Sequence, residues 1–242
     1  MGAVFGRIAE ELPPHTVLYT SMALVHGTSK FEVRLYPSQV AVAADYAADW
    51  GSGKDGRPFG KLAKYIGVFG SAANVAAEAN KSQKIAMTAP VLITQGQDSK
   101  AESQKIAMTA PVLIDQGAAQ GGRNTMMFLL PASKYSLVEH APRPTDPAVR
   151  LMQIPERTLA VRTFNGNLRP ERCREQLNLL VADVEEDGKW VVKRTSGGGL
   201  EWQGAGYNSP FTIPYFKTNE VLLAVESAKG ADVKEVRTEV RT

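Results

Sequence analysis

In FEVRLY (31–36), Phe31, Val33 and Leu35 alternate with Glu32, Arg34 and Tyr36, the two-residue period of a strand with one buried face. The same alternation predicts that Val40, Val42 and Ala44 continue the strand beyond the Pro37-Ser38 break. A glycine-rich stretch, WGSGKDGRP (50–58), ends in Pro58, a residue favoured in the first turn of a helix. Phe59, Leu62, Ala63 and Ile66 follow at spacings of three and four, which predicts a short amphipathic helix running to about Gly67.

The pattern then repeats itself. Residues 82–93 and 103–114 both read SQKIAMTAPVLI, an identical string displaced by 21 positions. Ile85, Met87 and Ala89 alternate in one copy, and Ile106, Met108 and Ala110 in the other. Pro90 and Pro111 each remove a ladder donor, so each string reads as a strand with a break or a strand near a sheet edge. A polar loop, TQGQDSKAE, separates them, and MMFLLPA (126–132) follows as a buried strand with which one copy is expected to pair.

Beyond the proline-rich connection SLVEHAPRPTDPAVR (136–150) the order starts over. Strand-like VRLMQIPERTLAVRTF (149–164) leads through Asn165-Gly166 to Pro170, which opens a helix with Cys173, Leu177, Leu180, Val181 and Val184 on one face. WVVKRT, LEWQGAGY and EVLLAVE supply further strands. The fold expected is α+β: two pseudo-symmetric βαββ halves, about 30–132 and 149–226, forming one domain over 30–226 between a partly flexible leader (1–29) and a tail (227–242). Stacked repeats need at least about three copies, so the echo is a local event within the first half.

Composition narrows the function classes. Of 242 residues, 43% are hydrophobic and 22% charged, and 28 Lys plus Arg against 25 Asp plus Glu leave a net charge of +3 without basic runs. That balance argues against a nucleic-acid partner and suits a small anionic ligand. The single cysteine, Cys173, cannot form an internal disulfide, and no stretch has the length of a signal peptide core or a membrane span. A cytoplasmic location without membrane insertion is therefore expected. No GxSxG, P-loop, dinucleotide fingerprint, HExxH or paired CxxC occurs, and His15, His26 and His140 are scattered. On the first helix, Arg57, Lys61 and Lys64 surround the apolar stripe. Periodicity admits two readings: a helix packed on a sheet with a solvated charged face, or a shallow apolar platform ringed by bases for a flat ligand bearing carboxylates.

KIAMTAPV, preceded by FEVRLY and KLAKYI and followed by FLLP, PRPTD, AGYNSP and TNEV, resembles the SOUL/haem-binding protein family from about residue 30 to 226. The doubled KIAMTAPV resembles its plant and green-lineage branch. The resemblance implies a distorted barrel or curved antiparallel sheet flanked by two helices, and reversible binding of haem or related porphyrins for carriage or buffering, with no other cofactor. It places the ligand against the first helix, at Phe59, Leu62, Ala63 and Ile66, with Lys61 and Lys64 as candidate propionate partners, and Arg57 is counted with them among the binding residues. A basic loop before the last strand is also implicated in the family; here it reads SPFTIPYFKTNEV and retains only Lys217. The family's proposed axial histidine, set between arginine and tyrosine in the first strand, is Leu35 here, and Met87 and Met108 are the remaining candidates for iron.

Two other functions compete with tetrapyrrole binding. One is an enzyme acting on the bound ligand, by iron removal or hydrolysis, with Tyr207 and Glu220 as the acid/base pair; the fold implied also resembles bacterial effector-binding domains. The other is a protein-interaction module that offers the doubled strand as a sheet edge.

Overall fold

The computed structural model describes residue 8 and residues 11–22, 29–46, 56–68, 70–76, 81–94, 124–208 and 212–228. In chain order the elements are β1 (Thr16–Met22), β2 (Ser29–Tyr36), β3 (Gln39–Tyr46), α1 (Gly56–Ile66), β4 (Asn74–Val75), β5 (Val91–Thr94) and β6 (Asn124–Leu129). There follow β7 (Arg143–Pro144), β8 (Val149–Ile154), β9 (Arg157–Asn165), α2 (Pro170–Asp187), β10 (Trp190–Val192), β11 (Trp202–Gly206) and β12 (Thr218–Ser227).

Ten strands make one antiparallel sheet, nine of them in the order β1-β2-β9-β12-β11-β5-β6-β3-β8, with β10 joined to β12. From β2 to β8 this order is palindromic. Exchanging β2 with β8, β3 with β9, β5 with β11 and β6 with β12 reverses it and returns the same sheet. The helices obey the exchange too: α1 packs on β3, β6 and β8, and α2 on β9, β12 and β2. The two halves read from the sequence are thus related by a pseudo-twofold through the β5–β11 contact.

Short linkers set the shape. Pro37-Ser38 joins β2 to β3, and Pro155-Glu156 joins β8 to β9, although each pair stands far apart in the sheet order. Two residues bridge at most about 11 Å, so the sheet curls until its arms meet at these corners. Among the described residues no ladder closes it into a barrel. One face packs against the helices through Phe31, Val33, Val40, Val42, Leu62, Tyr65, Phe128, Leu180 and Leu223. The other is folded inward on itself, with Tyr36, Ala41, Ala43, Leu92, Met127, Leu159, Ala205 and Leu222. A sheet covered on both faces explains why every residue of β6 is buried.

Several expectations change. The stretch read as a leader contains β1, which pairs with β2; a register shift between Val17 and Tyr19 breaks the alternation that would have revealed it. Val40, Val42 and Ala44 belong to a separate strand, β3, on the far arm of the sheet rather than to a continuation of β2. Tyr36, assigned by alternation to solvent, is buried. The connector holds a 3-10 turn (Val138–His140) and β7, which pairs with β4.

The first SQKIAMTAPVLI string enters the core. Ile85 and Ala89 are buried, Thr88 bridges to Glu11, and the peptide between Ala89 and Pro90 is cis. Only after Pro90 does a strand begin, β5, which lies between β6 (Leu92 opposite Met127) and β11 (Leu92 opposite Ala205). The second string and Met108 lie outside the described residues.

Candidate ligand-binding site

Helix α1 is fixed to the rest of the molecule at its inner face and its end. Leu62, Ala63 and Ile66 are 0%, 1% and 3% exposed, and Phe59 meets Phe128 edge to face with ring centroids 5.2 Å apart. Tyr65 Oη donates to the Pro142 carbonyl at 2.8 Å. Asn74 Nδ2 donates to the carbonyls of Tyr65 (2.7 Å) and Gln83 (2.8 Å), while its Oδ1 accepts from Gln83 N (2.9 Å), tying the start of the first string to the helix end. Gly67, at φ +84, closes the turn where a Cβ would stand 3.1 Å from both Ala72 Cβ and Lys84 Cγ.

A single stripe at three-four spacing can face only one way, and here the sheet takes it. Leu62, Ala63 and Ile66 are core, so they do not form an exposed platform. The outward side consists of half-buried Lys61, exposed Lys64 and Gly60, around whose missing Cβ no atom lies within 4 Å. Arg57 lies in the first turn, and its side chain is outside the described residues.

Lys217 belongs to the other half, in the loop before β12, where its Nζ donates to Asn167 Oδ1 at 3.1 Å. The same loop exposes Ile213, Tyr215 (79%) and Phe216. Leu35 is half-buried in β2, and Met87 is half-buried against the helix-side core. Among the described residues no cluster of three His, Cys, Asp or Glu could hold a metal ion. Cys173 is buried in α2, and burial first, then Glu171, pushes its thiol up to about 12, which leaves it no thiolate at neutral pH.

Tyr207 and Glu220 do come together, inside the curled sheet. Tyr207 Oη donates to Glu220 Oε2, while Oε1 accepts from Arg34 Nη1 at 3.0 Å and Thr163 Oγ1 at 3.3 Å. Arg34 also reaches Glu32 Oε2 (2.8 Å, from Nε) and Tyr36 Oη (3.3 Å). Burial pulls the Arg34 guanidinium down, but Glu220, Tyr36 and Glu32 together more than offset it and raise its pKa above the ordinary arginine value. Burial, then Glu220, holds the Tyr207 phenol well above its usual range, and burial pushes Tyr36 up to about 12. Both phenols therefore keep their protons at neutral pH. With three donors already on Glu220, the group has the form of a structural network.

Sequence reasoning named Tyr207 and Glu220 but missed Arg34, Tyr36 and Arg157, which share this interior. One signal was available. Glu220 stands directly before the apolar run VLLAV (221–225), and a carboxylate buried with that run calls for a cation facing it.

The sequence model of the SOUL heme-binding protein family matches residues 11–102 and, again, 94–224. Their overlap falls at the exit of β5, where the second string follows. A search of curated proteins finds no match. Solved structures similar to this chain include an uncharacterized conserved protein from Listeria innocua, 10% identical with a TM-score of 0.49, covering 81% of this chain and 92% of that one. A hydrolase from Listeria innocua has 10% identity and a TM-score of 0.44 over 81% of this chain and 92% of its own. The EcmrR C-terminal domain has 10% identity and a TM-score of 0.45 over 82% of this chain and 99% of its own. Matched on both sides of the doubled string and across both helices, the chain belongs to the SOUL heme-binding protein family.

Proposed function

We propose that this protein binds haem or a related tetrapyrrole reversibly on the outward side of α1, in carriage or buffering within the cytoplasm. The observation that carries the reading is the family match, which spans nearly the whole chain. The helix supports the location. Lys61 and Lys64 flank the open ground at Gly60 and suit the two propionates, with Arg57 and Lys217 as further cations. Phe59, half-buried, borders that side, while Leu62, Ala63 and Ile66 hold the helix in place from beneath.

The donor set fits a tetrapyrrole by its acid groups and ring rather than by its iron. GRPFGKLAKYI contains no histidine, cysteine or methionine, and Leu35 fills the family's axial position. Haemin and metal-free protoporphyrin are accordingly expected to bind alike. Absorbance titration of the purified protein with each tests this: saturable micromolar binding of both is expected, and binding of neither overturns the reading. Lys61→Ala and Lys64→Ala should each weaken binding about two- to fivefold, the effect of roughly 0.5–1 kcal/mol from a solvent-exposed pair.

A further inference from the structure

Arg157, the first residue of β9, stands beside Tyr36 in the β2–β9 ladder. Its Nη1 donates to Gln203 Oε1 at 2.8 Å, and Gln203 Nε2 passes the chain on to Thr94 Oγ1 at 3.1 Å. Its Nε is sealed from solvent and has no hydrogen-bond partner. Arg34, two residues before Tyr36 on the neighbouring strand, is neutralised by Glu220 and Glu32, whereas no carboxylate pairs with Arg157 among the described residues. A guanidinium held by one neutral amide is an uncompensated cation, a costly thing to enclose in a protein. Burial lowers it to about 10, with only the Tyr36 phenol acting against that.

The pseudo-twofold supplies an internal control. Gln39, the first residue of β3, occupies the equivalent place in the other half, and its Oε1 is likewise buried without a partner. An amide there lacks one hydrogen bond; an arginine lacks a counter-ion. The residue keeps partial exposure, and Nη2, which has no hydrogen-bond partner among the described residues, is not sealed as Nε is, so the far end of the guanidinium meets solvent.

We propose that Arg157 anchors a carboxylate-binding site at this end of the curled sheet, separate from the face of α1, taking the carboxylate end-on across the Nη1–Nη2 fork, beside the enclosed Nε. A planar fork and a planar carboxylate match in geometry, which favours this class over a spherical anion. Tyr36 and Leu159 flank the position on the inward face. The carboxylate belongs either to a small organic acid or to a tetrapyrrole propionate.

The test uses the full chain at constant ionic strength, with acetate and butyrate against chloride, reading thermal unfolding and the Nε–H resonance of Arg157 in protein labelled with 15N-arginine. The wild type is expected to gain stability saturably with the carboxylates and not with chloride, and the resonance to shift with them. Arg157→Met removes the charge, and Arg157→Lys keeps it but loses the fork; each should weaken the carboxylate response about tenfold or more, the range for a hydrogen bond to a charged group. A wild type indifferent to carboxylate, or an Arg157→Met protein that responds as the wild type does, overturns the site. Protoporphyrin and its dimethyl ester separate the sources: weaker binding of the diacid alone in Arg157→Met identifies a propionate, and equal binding of both identifies a small acid. Because acetate and butyrate report without any porphyrin, failure of tetrapyrrole binding leaves this site open to its own test.

Discussion

Tyr36 is 4% exposed because the sheet curls over the face of FEVRLY that alternation assigns to water. Its raised pKa gives a pH dependence of definite sign. Below pH 10 the phenol is protonated in both folded and unfolded chains and its contribution is constant; above that the unfolded chain ionises first, and stability falls until the folded phenol follows near 12. Two units correspond to about 2.7 kcal/mol. Tyr207 acts in the same direction, and Arg157, lowered to about 10, acts oppositely as its charge is relieved. Urea unfolding at pH 9 and pH 12 should therefore show the wild type losing about 2–3 kcal/mol relative to Tyr36→Phe; equal losses would mean that Tyr36 is not protected. Glu220→Gln removes one half of a buried ion pair and should cost about 3 kcal/mol at neutral pH, read as a lower urea midpoint. A variant of wild-type stability would return Glu220 to the list of candidate catalytic groups.

Elements with one strong period were legible. Helices α1 and α2 lie where three-four spacing put them, and the continuous apolar run of β6 is buried throughout. Harder to read were elements whose period is broken or whose polar face points inward. The Val17/Tyr19 shift hid β1, and Glu32 and Arg34 resembled a solvated edge because no pattern within that strand announces that Glu220 will face Arg34 from 186 residues away. For the site, Lys61 and Lys64 were legible as outward cations, whereas the stripe Leu62, Ala63 and Ile66 could not declare from spacing alone whether it faced sheet or ligand. The doubled string carries a prediction of this scale. Val91–Ile93 of the first copy and the adjoining Thr94 make up β5, so deleting residues 95–115 keeps that copy and the strand whole and shortens the connection to β6. Loop shortening of this kind changes closure entropy by only about 1–2 kcal/mol. The deleted protein should retain a cooperative thermal transition and tetrapyrrole binding; loss of the fold would show that the second copy is structural.

At the scale of the whole molecule, the palindromic order was the least visible property in the sequence, since it resides in pairings such as Glu32 with Val161 and Gly204 with Ile93 that carry no local signature. Each half leaves strand edges that only the other half covers: β2 needs β9, β3 needs β8, and β5 needs β11. The molecule is in this respect a heterodimer of its own halves, joined by the connector. Cutting the chain between exposed Ser136 and Leu137 should then give two fragments that are unfolded alone and that complement each other on mixing, with a melting temperature that rises with concentration. Circular dichroism of the separate fragments decides the matter, because a cooperative transition in either one would make that half self-sufficient.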